Sequence, residues 1–486
     1  MEYETVIGME VHAQLLTKSK MFCGCAADYA AAPPNTRVCP VCLSMPGALP
    51  VINQAAVEAT ILTGLALHCD IPEFSKFDRK NYPYPDLPKG YQISQYDFPL
   101  CVDGHLDITS DGEKKSIGIR RVHLEEDTAK LIHEHDSSLI DFNRAGVPLM
   151  EIVSEADMTN ADEAHDYLTK LRTILRYLGV STGNMAEGAM RCEANVSIHP
   201  VGAAEFGTKV EVKNLNSFRA VRQAIAYEIE RQAGLLAKGE GVQQVTMGWD
   251  EAAHRTVFQR SKEFAEDYRY FPEPDLPPLD LEDDFVEQIR DCLPELPDQK
   301  RDRFITAYGI RPEDAALLVE DRDVADYFES TLTAVEKDVH PQTVANWVVG
   351  EIFRLMHEHD VDVDELSIEP QQLAELLSLL AEDAINATVA KDVLGEMFET
   401  GESPTTIVER EGLTQISDQE ELETIVEKVL DENPDPLQQY LEGKEAVFGF
   451  FIGQVMQATQ GQANVQIVRK VLRNALNRKR GNTNQE

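Results

Sequence analysis

Thr5-Val6-Ile7-Gly8-Met9-Glu10-Val11-His12-Ala13-Gln14-Leu15 alternates along its whole length. Successive side chains of a strand point to opposite sides. Ile7, Met9, Val11, Ala13 and Leu15 therefore share one face, and Glu10, His12 and Gln14 share the other. Three more stretches repeat the scheme. Arg121 to Asp127 aligns Arg121, His123, Glu125 and Asp127; Met190 to Ile198 aligns Arg191, Glu193, Asn195 and Ser197; Lys209 to Lys213 aligns Lys209, Glu211 and Lys213. Each stretch can bury one side and display the other. If they share a sheet, its polar face gathers carboxylates, histidines, arginines and lysines. That is the composition of a site for a divalent metal and a phosphorylated ligand. The plainer reading is a solvated sheet face, common in antiparallel sheets and commoner in an acidic chain.

Outward from these strands, residues 1–292 mix strands, turns and a few helices. Helices are expected from Asn53 to Leu67, from Thr159 to Leu178 with Gly179 as the stop, and from Asn216 to Leu236 behind an Asn216-Ser217 cap. The strand segments are not βαβ repeats, so the expected class is α+β, with a large, mainly antiparallel sheet domain. Pro272, Pro274, Pro277 and Pro278 then interrupt regular structure, and from near Pro294 the pattern is helical. A second boundary near Gly401 to Ser403 gives a helical domain at 293–408 and a small all-helical tail at 409–486. Val344, Trp347, Val348, Ile352 and Leu355 recur at helical spacing and read as a core stripe.

A length of 486 residues calls for several domains. No run is long and apolar enough for a membrane span, and the start lacks a basic-then-apolar leader, so the expected location is the cytoplasm, with no membrane partner. The formal charge of −40 argues against a general nucleic-acid binder. It also fits an acidic proteome adapted to a salt-rich cytosol. Against that background, Ala446 to Gln485 carries no Asp or Glu, while Arg469, Lys470, Arg473, Arg478, Lys479 and Arg480 cluster near the end. An RNA contact is the functional reading, and a frayed solvated tail the plain one.

Cys23, Cys25, Cys39 and Cys42 form Cys-x-Cys, thirteen residues, then Cys-x-x-Cys. In a cytosolic chain this spacing resembles a structural Zn2+ knuckle with four thiolates. A closed four-thiolate site leaves no position for water, so it would brace a loop. Buried free thiols are the alternative. Cys192 lies on the apolar face of its strand and reads as core. Three polar clusters carry weaker signals: Asp78 to Gly90 with the Arg79-Lys80 pair, Asp141 to Glu151, and Arg260-Ser261-Lys262 with Asp267 to Phe271. Arg79 and Lys80 could meet phosphate. The chain has no Walker loop, kinase signature, nucleophile elbow or dinucleotide fingerprint.

Read in order, these blocks resemble the B subunit of aspartyl/glutamyl-tRNA amidotransferases. The resemblance rests on residues 8–15, 39–43, 86–95, 123–127, 143–152, 190–197, 213–218, 260–262, 267–272 and 449–456. Pro83 stands where that family usually has an aromatic. The resemblance implies ATP-dependent transamidation of Glu-tRNA(Gln), Asp-tRNA(Asn) or both. A glutaminase-type A subunit would supply ammonia, and a small C subunit would tie the heterotrimer together. It implies a cradle-shaped domain that phosphorylates the aminoacyl carboxylate and a tail that contacts tRNA. By position in the family's motifs, His12, Glu125 and Glu151 would surround one Mg2+. Glu10 and Glu211 would approach a second, and Lys80, Arg191 and Lys213 would meet the phosphates of ATP. A non-catalytic tRNA adaptor and a stand-alone carboxylate kinase are the competing classes.

Overall fold

The computed structural model describes residues 2–261, 268–336, 338–413, 419–459 and 462–483, with Ser261 and residues 481–483 described by backbone alone. Lys262 and Asp267 of the expected polar cluster lie outside the described residues. The chain divides into two compact units, Met1–Pro297 and Asp298–Glu486.

The first unit is α+β. Its strands are β1 (Tyr3–Gln14), β2 (Phe74–Ser75), β3 (Asp78–Asn81), β4 (Tyr91–Ser94), β5 (Cys101–Ser110), β6 (Glu113–Glu126), β7 (Lys130–His133), β8 (Ser138–Asp141), β9 (Pro148–Ser154), β10 (Met190–Pro200), β11 (Val210–Leu215), β12 (Val245–Asp250), β13 (Arg255–Ser261), β14 (Phe271–Pro272) and β15 (Leu279–Asp280). Its helices are α1 (Gln54–Ala66), α2 (Ala161–Tyr177), α3 (Phe218–Ala237) and α4 (Asp283–Arg290). Eight strands make the main sheet in the order β13-β12-β11-β10-β1-β9-β6-β5. Its pairs are antiparallel except β11 with β12. A smaller sheet, β14-β3-β4, carries Arg79 and Lys80.

The alternation in β1 becomes burial: Ile7, Met9, Val11 and Ala13 are each 0% exposed. Removing an Ile, Met or Val side chain from water contributes roughly 1.5–3 kcal/mol. This face forms one core with residues of α1, α2 and α3. The helix starts follow their caps. Asn53 accepts from the Ala55 amide at 3.1 Å, Asn160 from Glu163 at 2.8 Å, and Ser217 from Ala220 at 3.0 Å. Gly179, at φ +65°, ends the run after α2, where a side chain would be strained.

A bulge sets the phase of β6. Its register against β9 shifts between Ile119 and Arg121. Ile117 and Ile119 before the shift, and Val122 and Leu124 after it, all stay buried. The inserted residue re-aims the strand. It keeps Arg121, His123 and Glu125 on the polar face.

The second unit is helical, with one apolar cluster from Phe304 to Val408 and another from Leu422 to Leu476. The segment that carries the stripe of Val344 to Leu355 runs as a helix at Pro341–Trp347, a π-helical turn at Val348–Ile352, and a helix at Phe353–His359. Val344, Trp347, Val348, Ile352 and Leu355 are all core. Residues Val465–Thr483 form a further helix, which carries the basic tail. Among the described residues, no helix is long and apolar enough to cross a membrane.

Candidate active site

Strand register assembles the site. His12 on β1 faces Arg191 on β10 and Glu151 on β9, and Glu151 faces His123 on β6. Four adjacent strands thus place Arg191, His12, Glu151 and His123 in a row. The neighbouring row holds Glu193 opposite Glu10, then Val153 and Arg121. Directly opposed side chains on adjacent strands lie about 5 Å apart at Cβ, close enough to interact.

Glu151 is the hub of the first row. Its Oε2 lies 3.4 Å from His12 Nε2 and 3.2 Å from His123 Nε2. Glu125, buried on β6, brings Oε1 to 3.6 Å from His12 Nε2 and accepts a 3.0 Å hydrogen bond from Ser94 Oγ. One donor atom from each of His12, Glu125 and Glu151 lies within 4.8 Å of the others, a grouping able to hold a divalent ion. Burial disfavours a charged imidazole, yet Glu151 and Glu125 lift His12 to about 9. Glu151 is opposed by burial in the same way but is held well below the usual carboxylate range by His123 and His12.

A second group joins Glu10, Glu193 and Glu211, again within 4.8 Å. Burial pushes Glu10 up, and the neighbouring Glu151, Glu193 and Glu211 push it further. Asn195 donates to Glu10 Oε1 at 2.9 Å, and Thr246 donates to Glu211 Oε2 at 2.6 Å. Lys213 neutralises one member, donating to Glu193 Oε1 at 2.8 Å. Clustered carboxylates are the ligand type that Mg2+ prefers.

The expected phosphate-binding cations differ in their freedom. Lys80 makes no ion pair within 4 Å among the described residues. Its Nζ stands 5.1 Å from the Tyr268 ring centre and 5.9 Å from that of Tyr82. Burial lowers it, but Glu125, Tyr270 and Glu151 more than compensate, so it stays charged. Lys213 is held by Glu193. Arg191 is held by Asp127, whose Oδ2 also accepts from Gln14 at 2.7 Å. Arg79, whose pairing with Lys80 suggested a phosphate contact, is engaged by acids of its own domain. Its guanidinium forks onto the buried Glu273 at 2.6 and 2.8 Å, reaches Asp275, and stacks on Tyr91. At the Gln14 end of β1 lies a cavity of about 970 Å3, lined in part by Gln14, Tyr29, Arg37 and Thr182.

Glu193, a member of the second carboxylate group, and His123, which lies against Glu151, are the residues that sequence reasoning left out of the site, although both sit on the charged faces of their alternating strands. Asp127, likewise on that face, is the anchor of Arg191.

Cys23, Cys25, Cys39 and Cys42 bring their sulfurs within 4.8 Å of one another. A tetrahedral ion with bonds to sulfur of about 2.3 Å needs sulfurs about 3.8 Å apart. Cys39 and Cys42 are separated by 3.9 Å, so the donor set fits zinc. A hydrogen bond from Cys23, the Cys39 amide and nearby Lys20 hold the Cys42 thiol down at about 5, against its burial. Arg469, Lys470, Arg473, Arg478 and Lys479 lie on the last helix of the second unit. Arg478 approaches Glu423 at 3.4 Å, Lys479 meets Asp431 at 2.5 Å, and Arg473 covers the Phe448 ring.

Comparison with known proteins matches residues 5–287 to the GatB/GatE catalytic domain family and residues 326–476 to the GatB domain family. A protein of Thermomicrobium roseum is 54% identical over 480 residues, covering 98% of this chain and 99% of its own length. One of Dehalococcoides mccartyi is 55% identical over 487 residues, covering 98% and 99%. One of a Thermoanaerobacter species is 52% identical over 479 residues, covering 98% and 100%. Each of the three is the B subunit of an aspartyl/glutamyl-tRNA(Asn/Gln) amidotransferase.

Proposed function

The chain belongs to the family of aspartyl/glutamyl-tRNA(Asn/Gln) amidotransferase B subunits, and on that premise we propose that its polar sheet face activates the aminoacyl carboxylate with ATP. In this reading His12, Glu125 and Glu151 hold one Mg2+, and Glu10 and Glu211 hold a second, joined by Glu193. ATP supplies the phosphoryl group that converts the carboxylate of Glu-tRNA(Gln) or Asp-tRNA(Asn) into an acyl phosphate. Lys80, Arg191 and Lys213 meet phosphate oxygens, Arg191 with its guanidinium aimed by Asp127. Phosphoryl transfer requires mainly positioning and charge neutralisation, and a row of fixed charges on a sheet supplies both. Ammonia comes from a glutaminase-type A subunit, and a small C subunit completes a cytoplasmic heterotrimer.

The observation that carries this reading is the meeting of His12, Glu125 and Glu151 from three neighbouring strands, beside a second carboxylate group. A merely solvated face would not bury Glu125 and Glu151. We further propose a zinc ion at Cys23, Cys25, Cys39 and Cys42. We divide the chain into a cradle at 1–292, a helical domain at 293–408 and a tRNA-contacting tail at 409–486. The two separate apolar clusters of the second unit support the last boundary. The tail would use Arg469, Lys470, Arg473, Arg478 and Lys479.

The test is amide formation on each charged tRNA by the purified complex with ATP and glutamine. Glu125→Gln is expected to abolish it while glutamine hydrolysis by the A partner continues. Undiminished transamidation in that variant refutes the assignment.

A further inference from the structure

We propose that Lys20 is the counter-charge of the four-cysteine metal site and the stitch that joins its two arms; the proposal rests on the zinc reading above. Lys20 is 0% exposed. Its ammonium donates to the Phe142 carbonyl at 3.3 Å and approaches Cys42 Sγ at 3.8 Å. Among the described residues no carboxylate reaches it within ion-pair distance. The nearby acid, Glu126, gives its Oε1 to Lys89 at 2.5 Å and to the Ile93 amide at 3.0 Å, while its Oε2 lies beside Gly146, outside ion-pair distance of the ammonium. A fully buried ammonium is costly unless an opposite charge balances it; the Phe142 carbonyl does not supply one, so the charge has to come from the Cys42 sulfur and the cysteines gathered around it.

Four thiolates around a divalent cation supply that charge. Such a site carries a net charge of −2, and a lysine against one sulfur brings it to −1. The contact also gives Cys42 an N–H···S donor of the kind that tunes metal ligands from outside the coordination shell. The backbone completes the arrangement. The Lys20 amide donates to the Cys25 carbonyl at 2.9 Å, so one residue holds the Cys23-Cys25 arm by its main chain and the Cys39-Cys42 arm by its side chain. Gly146, at φ +85°, lies beside both side chains. A Cβ there would lie 3.6 Å from Lys20 Cδ and 3.7 Å from Cys42 Cβ. The Phe142 carbonyl that receives the ammonium lies shortly before β9, the strand of Glu151. The knuckle is thereby tied to the segment leading into the site.

The test compares zinc retention in the full chain, within its complex, for wild type, Lys20→Met and Lys20→Arg. Zinc content and the rate of release to a coloured chelator are measured, together with the sulfur-to-cobalt charge-transfer band after Co2+ substitution. Lys20→Met keeps the stem and removes the charge. It is expected to release zinc about 10- to 100-fold more readily, the range typical of lost outer-shell partners, and to shift the cobalt band. Lys20→Arg is expected to retain zinc better than Lys20→Met, because it returns the charge that outer-shell tuning requires. If Lys20→Met does not fold, Lys20→Gln reports the same loss of charge with a donor retained. Wild-type retention and an unshifted band in either neutral variant overturn the counter-charge role. A wild-type protein that takes up neither zinc nor cobalt, with four freely reactive thiols, overturns the zinc reading itself.

Discussion

Asp127 offers the most demanding test of how the polar face is held. Its carboxylate is buried and takes Gln14 and Arg191 on Oδ2, the Thr128 amide at 2.8 Å on Oδ1, and Arg144 at 3.7 Å. Burial raises an acid of this kind, but Arg191 and Arg144 hold Asp127 below its ordinary value. Removing one partner of a fully buried ion pair costs about 3–5 kcal/mol. The Arg191 side chain keeps 39% of its surface, so solvent recovers part of that, and about 2–3 kcal/mol is expected for Asp127→Asn. Arg191→Met should cost a similar amount. The double variant should fall short of the sum by about 1–2 kcal/mol, the sign of a direct pair. Urea unfolding measures this cleanly. The chain has two tryptophans, so Trp347→Phe leaves Trp249, 3% exposed in the first unit, as the reporter. The sign with pH follows from the depressed carboxyl. Its contribution is present above the unfolded value near 4 and is lost as pH falls through the lower folded value. The gap between wild type and Asp127→Asn should therefore close in acid. A coupling energy of zero, or a gap that does not narrow with acid, refutes the pairing as the anchor of Arg191.

His12 makes the opposite prediction. Its folded value, about 9, exceeds the unfolded 6.5, so its stabilisation is complete below pH 6.5 and disappears as pH rises through 9. In chelator-treated protein Tm should fall over that window, and Glu151→Gln should flatten the fall; a parallel decline in both forms argues against the hub. Gly64→Ala would place a Cβ 2.3 Å from Cys101 Sγ. Such overpacking should cost about 1–3 kcal/mol, partly recovered by Cys101→Ala, and equal unfolding midpoints for Gly64→Ala and wild type would count against it. In the tail, Arg469→Ala and Lys470→Ala should each reduce the salt slope of tRNA affinity by about 0.7–0.9. Lys479→Ala should reduce it less, because Asp431 already engages that ammonium; equal effects would argue against the tail as the contact surface.

The four alternating stretches were legible because each keeps one apolar face, and β1, β6, β10 and β11 do share a sheet. The strand between β1 and β6 was not. Pro148 to Ser154 is buried at every position, so Pro-Leu-Met-Glu-Ile-Val-Ser shows no period of two; Glu151 appeared only as the end of a weak polar cluster, and its place among the metal ligands came from the family resemblance. A central strand covered on both faces loses the pattern that identifies a half-wet one. The partners of Arg79 were hidden for another reason. Beside Lys80, Arg79 reads as half of a phosphate grip, but its partners Glu273 and Asp275 arrive from far along the chain. Local composition cannot report a distant acid that neutralises a base. Glu193 and His123 were visible on the right faces, yet nothing local distinguishes a ligand from a neighbour. Only register does so, by setting Glu193 opposite Glu10 and His123 opposite Glu151.

Register also explains how a chain of charge −40 tolerates this site. Three carboxylates within 4.8 Å repel one another, and Glu10 records that repulsion. A side chain free to rotate would relieve it by turning to solvent. Here each carboxylate stands on a strand whose other face is locked into the core, so a one-residue slip would bring Met9 or Val11 into water and Glu10 or His12 into the interior. The apolar half of β1 thus holds the polar half against its own repulsion. Weakening that core without touching a charge, as Val11→Ala would, should loosen divalent-ion binding as well as lower stability. Tighter or unchanged Mn2+ affinity in a measurably destabilised Val11→Ala protein would show that the charged groups hold their own geometry.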